Sequence, residues 1–195
     1  MKGVILTAGE IGKSLSPIFG SIPTGLTPVN GKPIIFFIIE NFLSQGVSDI
    51  YIGVDFQSEY LEKIVSTFFS RKANLKFVKV DKNKGPGDSL VTVLQCVSNG
   101  SVIVNLADTI ARYDAKECIE SNCVVVSSCV ESSEKWCLVE VENDTGNIIA
   151  FHEKEMDIEP ANGAVGVYVF HDVEMFQDFS GKKTRNEISD VILWA

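Results

Sequence analysis

The fold is decided at the start of the chain, by Val4-Ile5-Leu6-Thr7-Ala8-Gly9-Glu10-Ile11-Gly12-Lys13-Ser14. Its first three residues form a short apolar run, which is typical of a buried strand. The glycine-rich segment that follows has a backbone able to approach a phosphate closely and to direct N–H groups at it. We therefore predict a strand followed by a phosphate-binding loop, with a plain glycine-rich turn as the alternative.

This loop contains Gly12-Lys13-Ser14, which copies the last residues of a P-loop motif. The first glycine of that motif would have to stand at position 7, where the chain has Thr7. Pro17 falls inside the helix that a P-loop precedes, and a proline there lacks the N–H that the helix needs. A P-loop kinase is therefore disfavoured.

Beyond the opening stretch, short apolar runs alternate with amphipathic segments. We predict strands at residues 50–54, 75–80 and 102–104, and helices at residues 34–45, 57–71 and 88–97. From residue 123 the pattern is β-rich, with strands at 123–130, 136–141, 148–151 and 164–170, a hairpin turn at 143–147 and a last helix at 186–194. This order predicts an α/β fold, Rossmann-like, with a mixed, mainly parallel sheet flanked by helices. Ligands of such sheets bind beside the carboxyl ends of the strands, where the loops after Leu6, Val80 and Val104 lie.

The composition limits the classes of function. Of 195 residues, 45% are hydrophobic and 22% are charged, which is enough apolar material for a folded core. The net charge of −9 and the lack of a basic patch argue against nucleic acid as a partner. No apolar run approaches the roughly 18 residues needed to span a bilayer, and the N-terminus lacks the features of a signal peptide. We therefore expect a cytoplasmic protein with no membrane partner.

We expect the cysteine side chains and most of the aromatic side chains to be buried. Five cysteines without a CxxC pair, and with only two histidines, favour buried reduced thiols over a zinc site. The aromatic residues expected in the core include Phe36, Phe37, Phe42, Phe68, Phe69 and Trp194. Trp136 or Trp194 could instead face a partner chain, which leaves a homo-oligomer open.

Several further motifs follow the opening loop in a fixed order. The most distinctive is Pro28-Val29-Asn30-Gly31-Lys32-Pro33-Ile34-Ile35, shortly after Pro23-Thr24. The others are Gly85-Pro86-Gly87-Asp88-Ser89-Leu90, Leu106-Ala107-Asp108, Ile149-Ala150-Phe151-His152-Glu153-Lys154 and Gly166-Val167-Tyr168-Val169-Phe170. Together they resemble the sugar-1-phosphate nucleotidyltransferases, in which L-A-G-G-x-G-T-R-L-x-P-L, P-K-P-L-x-P-V-x-G-K-P-I-I, G-T-x-x-A, G-D, F-x-E-K and N-x-G-I-Y occur in this order. The matches extend over residues 4–191.

This resemblance implies a fold and a reaction. The fold is that of the nucleotide-diphospho-sugar transferases, as a single domain over residues 1–195. The reaction transfers a nucleoside monophosphate from a nucleoside triphosphate to a sugar 1-phosphate or a similar phosphorylated molecule, and releases pyrophosphate. Its partners are those two substrates and its cofactor is Mg²⁺. The products serve nucleotide-sugar and surface-polysaccharide biosynthesis.

The resemblance also implies a role for each motif. The residues implied to bind the nucleotide are Thr7, Ala8, Gly9, Glu10, Gly12, Lys13, Asn83 and Gly87, with Lys82 as a neighbouring candidate. Lys13 and Asp108 are the implied catalytic residues, and Asp108 is the implied Mg²⁺ ligand. The sugar and its phosphate are implied to contact Glu153, Lys154 and Gly166.

The chain departs from the family pattern at charged and small residues. Ser14 stands where the family has arginine, and Thr24 stands where it has the lysine of P-K-P. Ala107 replaces the glycine of G-D, and Ala164 replaces an asparagine. Because a triphosphate carries about four negative charges, losing two cations weakens its neutralisation. The second hypothesis is therefore a catalytically degenerate module that binds a nucleotide sugar or regulates, so whether the chain is an enzyme stays open here.

Two further expectations come from the remaining sequence. Arg185-Asn186-Glu187-Ile188-Ser189-Asp190-Val191 resembles the family's E-I-T-D-V segment, and the family's second metal-binding aspartate lies beyond that segment. We therefore expect the chain to be the N-terminal part of a longer protein. A glycosyltransferase on a related fold would carry an Asp-x-Asp motif. Asp108-Thr109-Ile110 lacks the second aspartate, which makes this third class the least favoured.

Overall fold

The computed structural model describes residues 1–8, 16–19, 22–55, 58–118, 120–128, 130, 133–155, 162–177 and 187–193. Its strands are β1 (Lys2–Leu6), β2 (Pro28–Val29), β3 (Lys32–Pro33), β4 (Asp49–Val54), β5 (Asn74–Lys79), β6 (Val102–Leu106), β7 (Cys123–Ser127), β8 (Cys137–Val141), β9 (Ile148–Glu153) and β10 (Asn162–Phe170). Its helices are α1 (Ser16–Phe19), α2 (Ile34–Ser44), α3 (Glu59–Phe69), α4 (Pro86–Leu94) and α5 (Ile188–Ile192). Short 3-10 turns connect several of these elements.

The main sheet has eight strands, with seven in the order β5-β4-β1-β6-β10-β8-β9 and β7 paired to β10. The pairs β4–β5, β1–β4 and β1–β6 are parallel, whereas β10 is antiparallel to β6, β7 and β8. The predicted α/β fold with a mixed sheet is therefore confirmed. Because β1 lies between β4 and β6, the carboxyl ends of all three strands meet at one edge.

The alternation of side chains along β1 divides the core into two halves. Ile5 is fully buried among α2, α3 and the β4 residues Ile50 and Ile52. Val4 is fully buried on the opposite face of the sheet, in the cluster that contains α4 and α5 residues. Helices therefore cover both faces of the sheet, as predicted.

The motif at residues 28–35 folds as a hairpin that leads into α2. Asn30 and Gly31 both have positive φ, 51° and 77°, and join the paired strands β2 and β3. An asparagine–glycine turn of this kind suits a two-residue hairpin. The Ile34 N–H then donates to the Thr27 carbonyl at 3.0 Å, where α2 begins. The hairpin was not predicted, because each of its strands has only two residues.

Some predicted positions are wrong. The strand predicted at 123–130 ends at Ser127. The burial prediction fails for Phe68, which is 60% exposed although its ring packs on that of Phe36 with centroids 5.1 Å apart. Cys96 is a free, exposed thiol rather than a buried one. The residues 186 and 194 that bound the last predicted helix lie outside the described residues. In the described part of the chain, no helix has the length and apolar character to cross a bilayer.

Gly3 in β1 tests how tightly the sheet packs on α2. A Cβ at this position would lie 2.5 Å from Phe42 Cδ2, and Phe42 is fully buried. Gly3→Ala is therefore expected to lower the free energy of unfolding by about 1–3 kcal/mol through overpacking. Urea denaturation measures the loss.

Gly25→Ala provides the matched control for Gly3→Ala. A Cβ at Gly25 would meet its nearest atom, Ile35 Cβ, at an ordinary 3.4 Å. This variant should stay close to the wild-type stability. Equal losses in the two variants would contradict the packing described for Gly3.

Candidate active site

A first cavity of about 380 Å³ opens at the carboxyl ends of β1 and β6. Ala8 from the loop after β1 and Asp108 from the loop after β6 both line it, together with Asn83. The remaining lining residues are Leu6, Thr24, Gly85, Pro86, Ser89, Leu106 and Ala107. The structure thus brings together three of the residues implied to bind the nucleotide or its metal ion.

Hydrogen bonds beyond the end of β6 position Asp108. The Ala107 N–H donates to the Leu6 carbonyl at 3.1 Å, which extends the pairing of β1 and β6 into the loop. The buried Asn105 side chain donates through Nδ2 to the carbonyls of Leu106 at 2.8 Å and Thr109 at 3.1 Å. The turn is closed on both sides of Asp108, whose own side chain is exposed.

Two residues implied to bind the nucleotide do not line this cavity. The Thr7 N–H and hydroxyl both donate to the Gly53 carbonyl, at 3.0 and 2.8 Å, so neither is directed at a ligand. Gly87 is buried inside α4. Asn83 lines the cavity, with its Nδ2 donating to Asp81 Oδ1 at 3.0 Å.

The implied phosphate-loop residues Gly9, Glu10, Gly12 and Lys13, together with Ser14, lie outside the described residues. The side chain of Lys82 is likewise not described. Of the described residues that line the first cavity, none is basic. Thr24 lines it, at the position where the family pattern has a lysine.

A second cavity of about 660 Å³ is lined by Glu153, Lys154 and Gly166, the three residues implied to contact the sugar phosphate. Apolar and aromatic residues also line it, including Trp136, Phe151, Val165, Ile188 and Ile192. A second lysine, Lys135, contributes to the same cavity. A lysine pair beside aromatic rings and a carboxylate suits a phosphorylated ligand that also carries hydroxyl groups.

The second cavity exists because β10 changes partners along its length. Residues 167–170 of β10 pair with β6, whereas Asn162 and Gly163 pair with β8. Between them the register against β7 shifts, and Gly166 there has a φ of 86°. A Cβ at Gly166 would lie 3.0 Å from both Leu106 Cδ1 and Thr109 Oγ1. Glycine is required here by its backbone conformation and by the close approach of β6.

Glu153 is surrounded by polar groups of the second cavity. Ser189 Oγ lies 3.4 Å from Glu153 Oε2, and Lys154 Nζ lies 3.4 Å from Oε1. Burial raises the pKa of the Cys137 thiol, and a hydrogen bond with Glu153 raises it further, so this thiol stays protonated near neutral pH. Burial also raises the pKa of Tyr168. The Ser189 hydroxyl, the Cys137 thiol and the Lys154 ammonium group therefore all lie beside the Glu153 carboxylate.

Glu187 is a second carboxylate beside this group. Burial and then the charge of Glu153 raise the Glu187 pKa, while Lys154 lowers it. The Glu187 N–H donates to Asp190 Oδ2 at 3.2 Å, at the start of α5. The sequence interpretation missed Glu187, Cys137 and Ser189 as site residues, because they lie far from Glu153 in the chain.

The two cavities adjoin each other. Pro86, Leu106 and Asp108 line both of them. Asp108 is thus the one carboxylate among the described lining residues that faces both cavities. In the described ranges, no group of three histidine, cysteine or acidic residues lies together as a metal cluster.

Comparison with known proteins places this geometry in a family. The nucleotidyl transferase family model matches residues 2–194, and the chain belongs to that family. It is 30% identical over 177 residues to the bifunctional protein GlmU of Methanocaldococcus jannaschii, which covers 91% of this chain and 41% of that protein. The chain therefore spans less than half the length of this relative.

Two other relatives match over more of their own length. The D-glycero-alpha-D-manno-heptose 1-phosphate guanylyltransferase of Campylobacter jejuni is 25% identical, over 92% of this chain and 80% of that protein. A Bacillus anthracis structure assigned as a glucose-1-phosphate thymidylyltransferase, in complex with sucrose, superposes with a TM-score of 0.83 at 25% identity. It covers all of this chain and 82% of that one, which confirms the predicted nucleotide-diphospho-sugar transferase fold.

Gly166→Ala tests the close approach of β10 to β6. An L-residue in the left-handed region costs about 1–2 kcal/mol, and the clash with Leu106 and Thr109 adds to that cost. Gly146→Ala is the control, because Gly146 has a φ of 73° but nothing within 4 Å of its Cβ position. Urea denaturation should show a larger loss of stability for Gly166→Ala, and equal losses would contradict the close approach.

Glu187→Gln tests the electrostatics of the second cavity. A carboxylate with a raised pKa in the folded state is unfavourable when ionised, so its cost appears as pH rises through that pKa. Glu187→Gln should therefore raise the melting temperature near pH 7, and the gain should vanish at about pH 3, which lies well below the ordinary glutamate pKa of about 4.3, so that the wild-type carboxyl is protonated in both states. A gain that persists unchanged at the lower pH would contradict this assignment.

Proposed function

We propose that this chain transfers a nucleoside monophosphate from a nucleoside triphosphate to a sugar 1-phosphate, or to a similar phosphorylated molecule, and releases pyrophosphate. The observation that carries the proposal is the position of Asp108 on the wall shared by the two cavities. Family membership and the names of the relatives, one a guanylyltransferase and one assigned as a thymidylyltransferase, support it. The product would be a nucleotide sugar.

The two cavities divide the substrates between them. The nucleoside triphosphate would occupy the first cavity, with its phosphates near Ala8 and its base near Asn83. Gly9, Glu10, Gly12 and Lys13 would continue the phosphate loop, and Lys13 would supply its cation. The sugar 1-phosphate would occupy the second cavity, with Glu153 accepting hydrogen bonds from its hydroxyls and Lys154 binding its phosphate. The bulge at Gly166 would let the sugar approach the backbone.

The reaction requires the two substrates to meet in line. A phosphate oxygen of the sugar 1-phosphate would form a bond to the α-phosphorus, and the bond from that phosphorus to the leaving pyrophosphate would break. Catalysis of this kind depends mainly on positioning and on charge neutralisation. Holding both substrates on either side of Asp108 provides the positioning.

The residues present fit a divalent ion that arrives with the nucleotide. Asp108 offers an exposed carboxylate, and Mg²⁺ is commonly held by one or two carboxylates together with substrate phosphates and water. Bound there, Mg²⁺ would neutralise phosphate charge. This matters in the first cavity, because none of its described lining residues is basic and Thr24 replaces the family's lysine. Asp108 would hold the ion.

Asp108→Asn removes the charge at the shared wall and keeps the shape of the side chain. Turnover, measured as pyrophosphate release from a panel of nucleoside triphosphates and sugar 1-phosphates with Mg²⁺, should fall by about a hundredfold or more. Asp144→Asn, in the exposed turn between β8 and β9, is the matched control and should keep wild-type turnover.

A thermal-shift panel with the same ligands separates the two hypotheses for this fold. An active enzyme is stabilised by a nucleoside triphosphate with Mg²⁺ and also releases pyrophosphate. Stabilisation by nucleotide sugars without turnover would instead indicate a binding or regulatory module. No stabilisation by any of these ligands would reject the site.

A further inference from the structure

Thr109 follows Asp108, which lines both cavities, and its side chain is hydrogen-bonded to Val165, which lines the second cavity. Its hydroxyl lies 2.7 Å from the Val165 carbonyl and 3.4 Å from Asp108 Oδ1. A hydroxyl has one proton to donate, and 2.7 Å is the usual length of an O–H···O hydrogen bond, whereas 3.4 Å is long. The proton therefore goes to Val165, and the Asp108 carboxylate is left with its acceptor oxygens facing the cavities.

The Val165 carbonyl belongs to the least supported part of β10. The pairs between β10 and β6 begin at Val167, and the pairs with β8 involve only Asn162 and Gly163. Ala164 still pairs with Val126 of β7, but Val165 and Gly166 lie where that register is interrupted, and all three residues line the second cavity. The Thr109 hydrogen bond thus joins the turn after β6 to a segment that the strand pairing leaves irregular.

Thr109 is itself fixed from the side of β6. Its N–H donates to the Leu106 carbonyl at 3.1 Å, and its carbonyl accepts from the buried Asn105 side chain at 3.1 Å. The Gly166 Cα packs against it so closely that a Cβ would lie 3.0 Å from Thr109 Oγ1. A rigid donor in this place can set the distance between Asp108 and residues 164–166, which line the second cavity.

We propose that Thr109 is a positioning residue that fixes the sugar-phosphate cavity relative to Asp108. The role rests on the function proposed above, since it concerns where the acceptor lies relative to the nucleotide. Without the hydroxyl, the segment 164–166 would relax away from β6 and the sugar phosphate would bind in a less productive position. The nucleotide would still bind, because its cavity does not involve Val165.

Thr109→Val removes the hydroxyl and keeps the shape of the side chain. Steady-state kinetics should show the KM for the sugar 1-phosphate rising about tenfold or more, with a lower kcat, because small misplacements of a reacting group have large effects on rate. The affinity for the nucleoside triphosphate with Mg²⁺, measured by calorimetry, should stay within about twofold of the wild type. Thr109→Ser restores the donor and should restore both kinetic constants.

Thr67→Val is the matched control for Thr109→Val. Thr67 Oγ1 also donates to a carbonyl, that of Lys63, at 2.7 Å, but on the exposed side of α3 and away from both cavities. It should leave kcat and KM unchanged. A wild-type KM in Thr109→Val, or an equal loss of nucleotide affinity, would overturn the positioning role.

Amide hydrogen exchange separates failure of this proposal from failure of the proposed function. Thr109→Val should speed exchange in residues 163–168 relative to the wild type and to Thr67→Val, whether or not the protein turns over any substrate. If exchange is faster in Thr109→Val but the wild-type protein turns over no substrate, the proposed function is rejected and the structural role of the Thr109–Val165 hydrogen bond is supported. Unchanged exchange in that segment would show that the Thr109 hydrogen bond does not hold it in place, and would reject the positioning role.

Discussion

The site depends on the continuation of strand pairing past the ends of β1 and β6. The Ala107 N–H donates to the Leu6 carbonyl, and the Thr7 N–H donates to the Gly53 carbonyl, so the three central strands are held together up to the point where their loops begin. Ala8 and Asp108 leave from adjacent positions at that edge and line one cavity. Buried apolar residues on both faces of the sheet keep these strands in place.

The second cavity has a different origin, in the antiparallel half of the sheet. β10 pairs with β6 through residues 167–170 and with β8 through Asn162 and Gly163. It therefore connects the parallel half of the sheet to the antiparallel half. The irregular segment between these pairings leaves space beside the end of β6, and Gly166 allows the close approach. Asp108 lies where this space meets the first cavity.

The sequence was sufficient to predict most of the fold, and several of the candidate site residues that it indicated line the same cavities. Apolar periodicity located the central strands and the helices α2, α3 and α4, because these elements bury one face or both faces. The order of the motifs indicated one site with two parts. One part contains Ala8 and Asp108, and the other contains Glu153, Lys154 and Gly166.

Tertiary contacts decided what the sequence could not. Thr7 lies next to Ala8, but its donors are bonded to Gly53 of β4, a pairing that no local pattern shows. Cys137 and Ser189 reach Glu153 only through strand pairing and the packing of α5. The buried stripe of α3 consists of Leu61, Val65 and Phe69, so the neighbouring Phe68 is left exposed, and only the packing of α3 decides which of the two phenylalanines is buried.

The central claim is that the two substrates lie in adjoining cavities on either side of Asp108, so that the nucleotide sugar formed from them would span both cavities. A crystal structure of the chain with a nucleotide sugar and Mg²⁺ tests it most directly. We expect the nucleoside beside Ala8 and Asn83, the diphosphate at Asp108 and the sugar beside Glu153 and Gly166. A ligand bound at another surface, or with its sugar and nucleoside in the same cavity, would contradict the account.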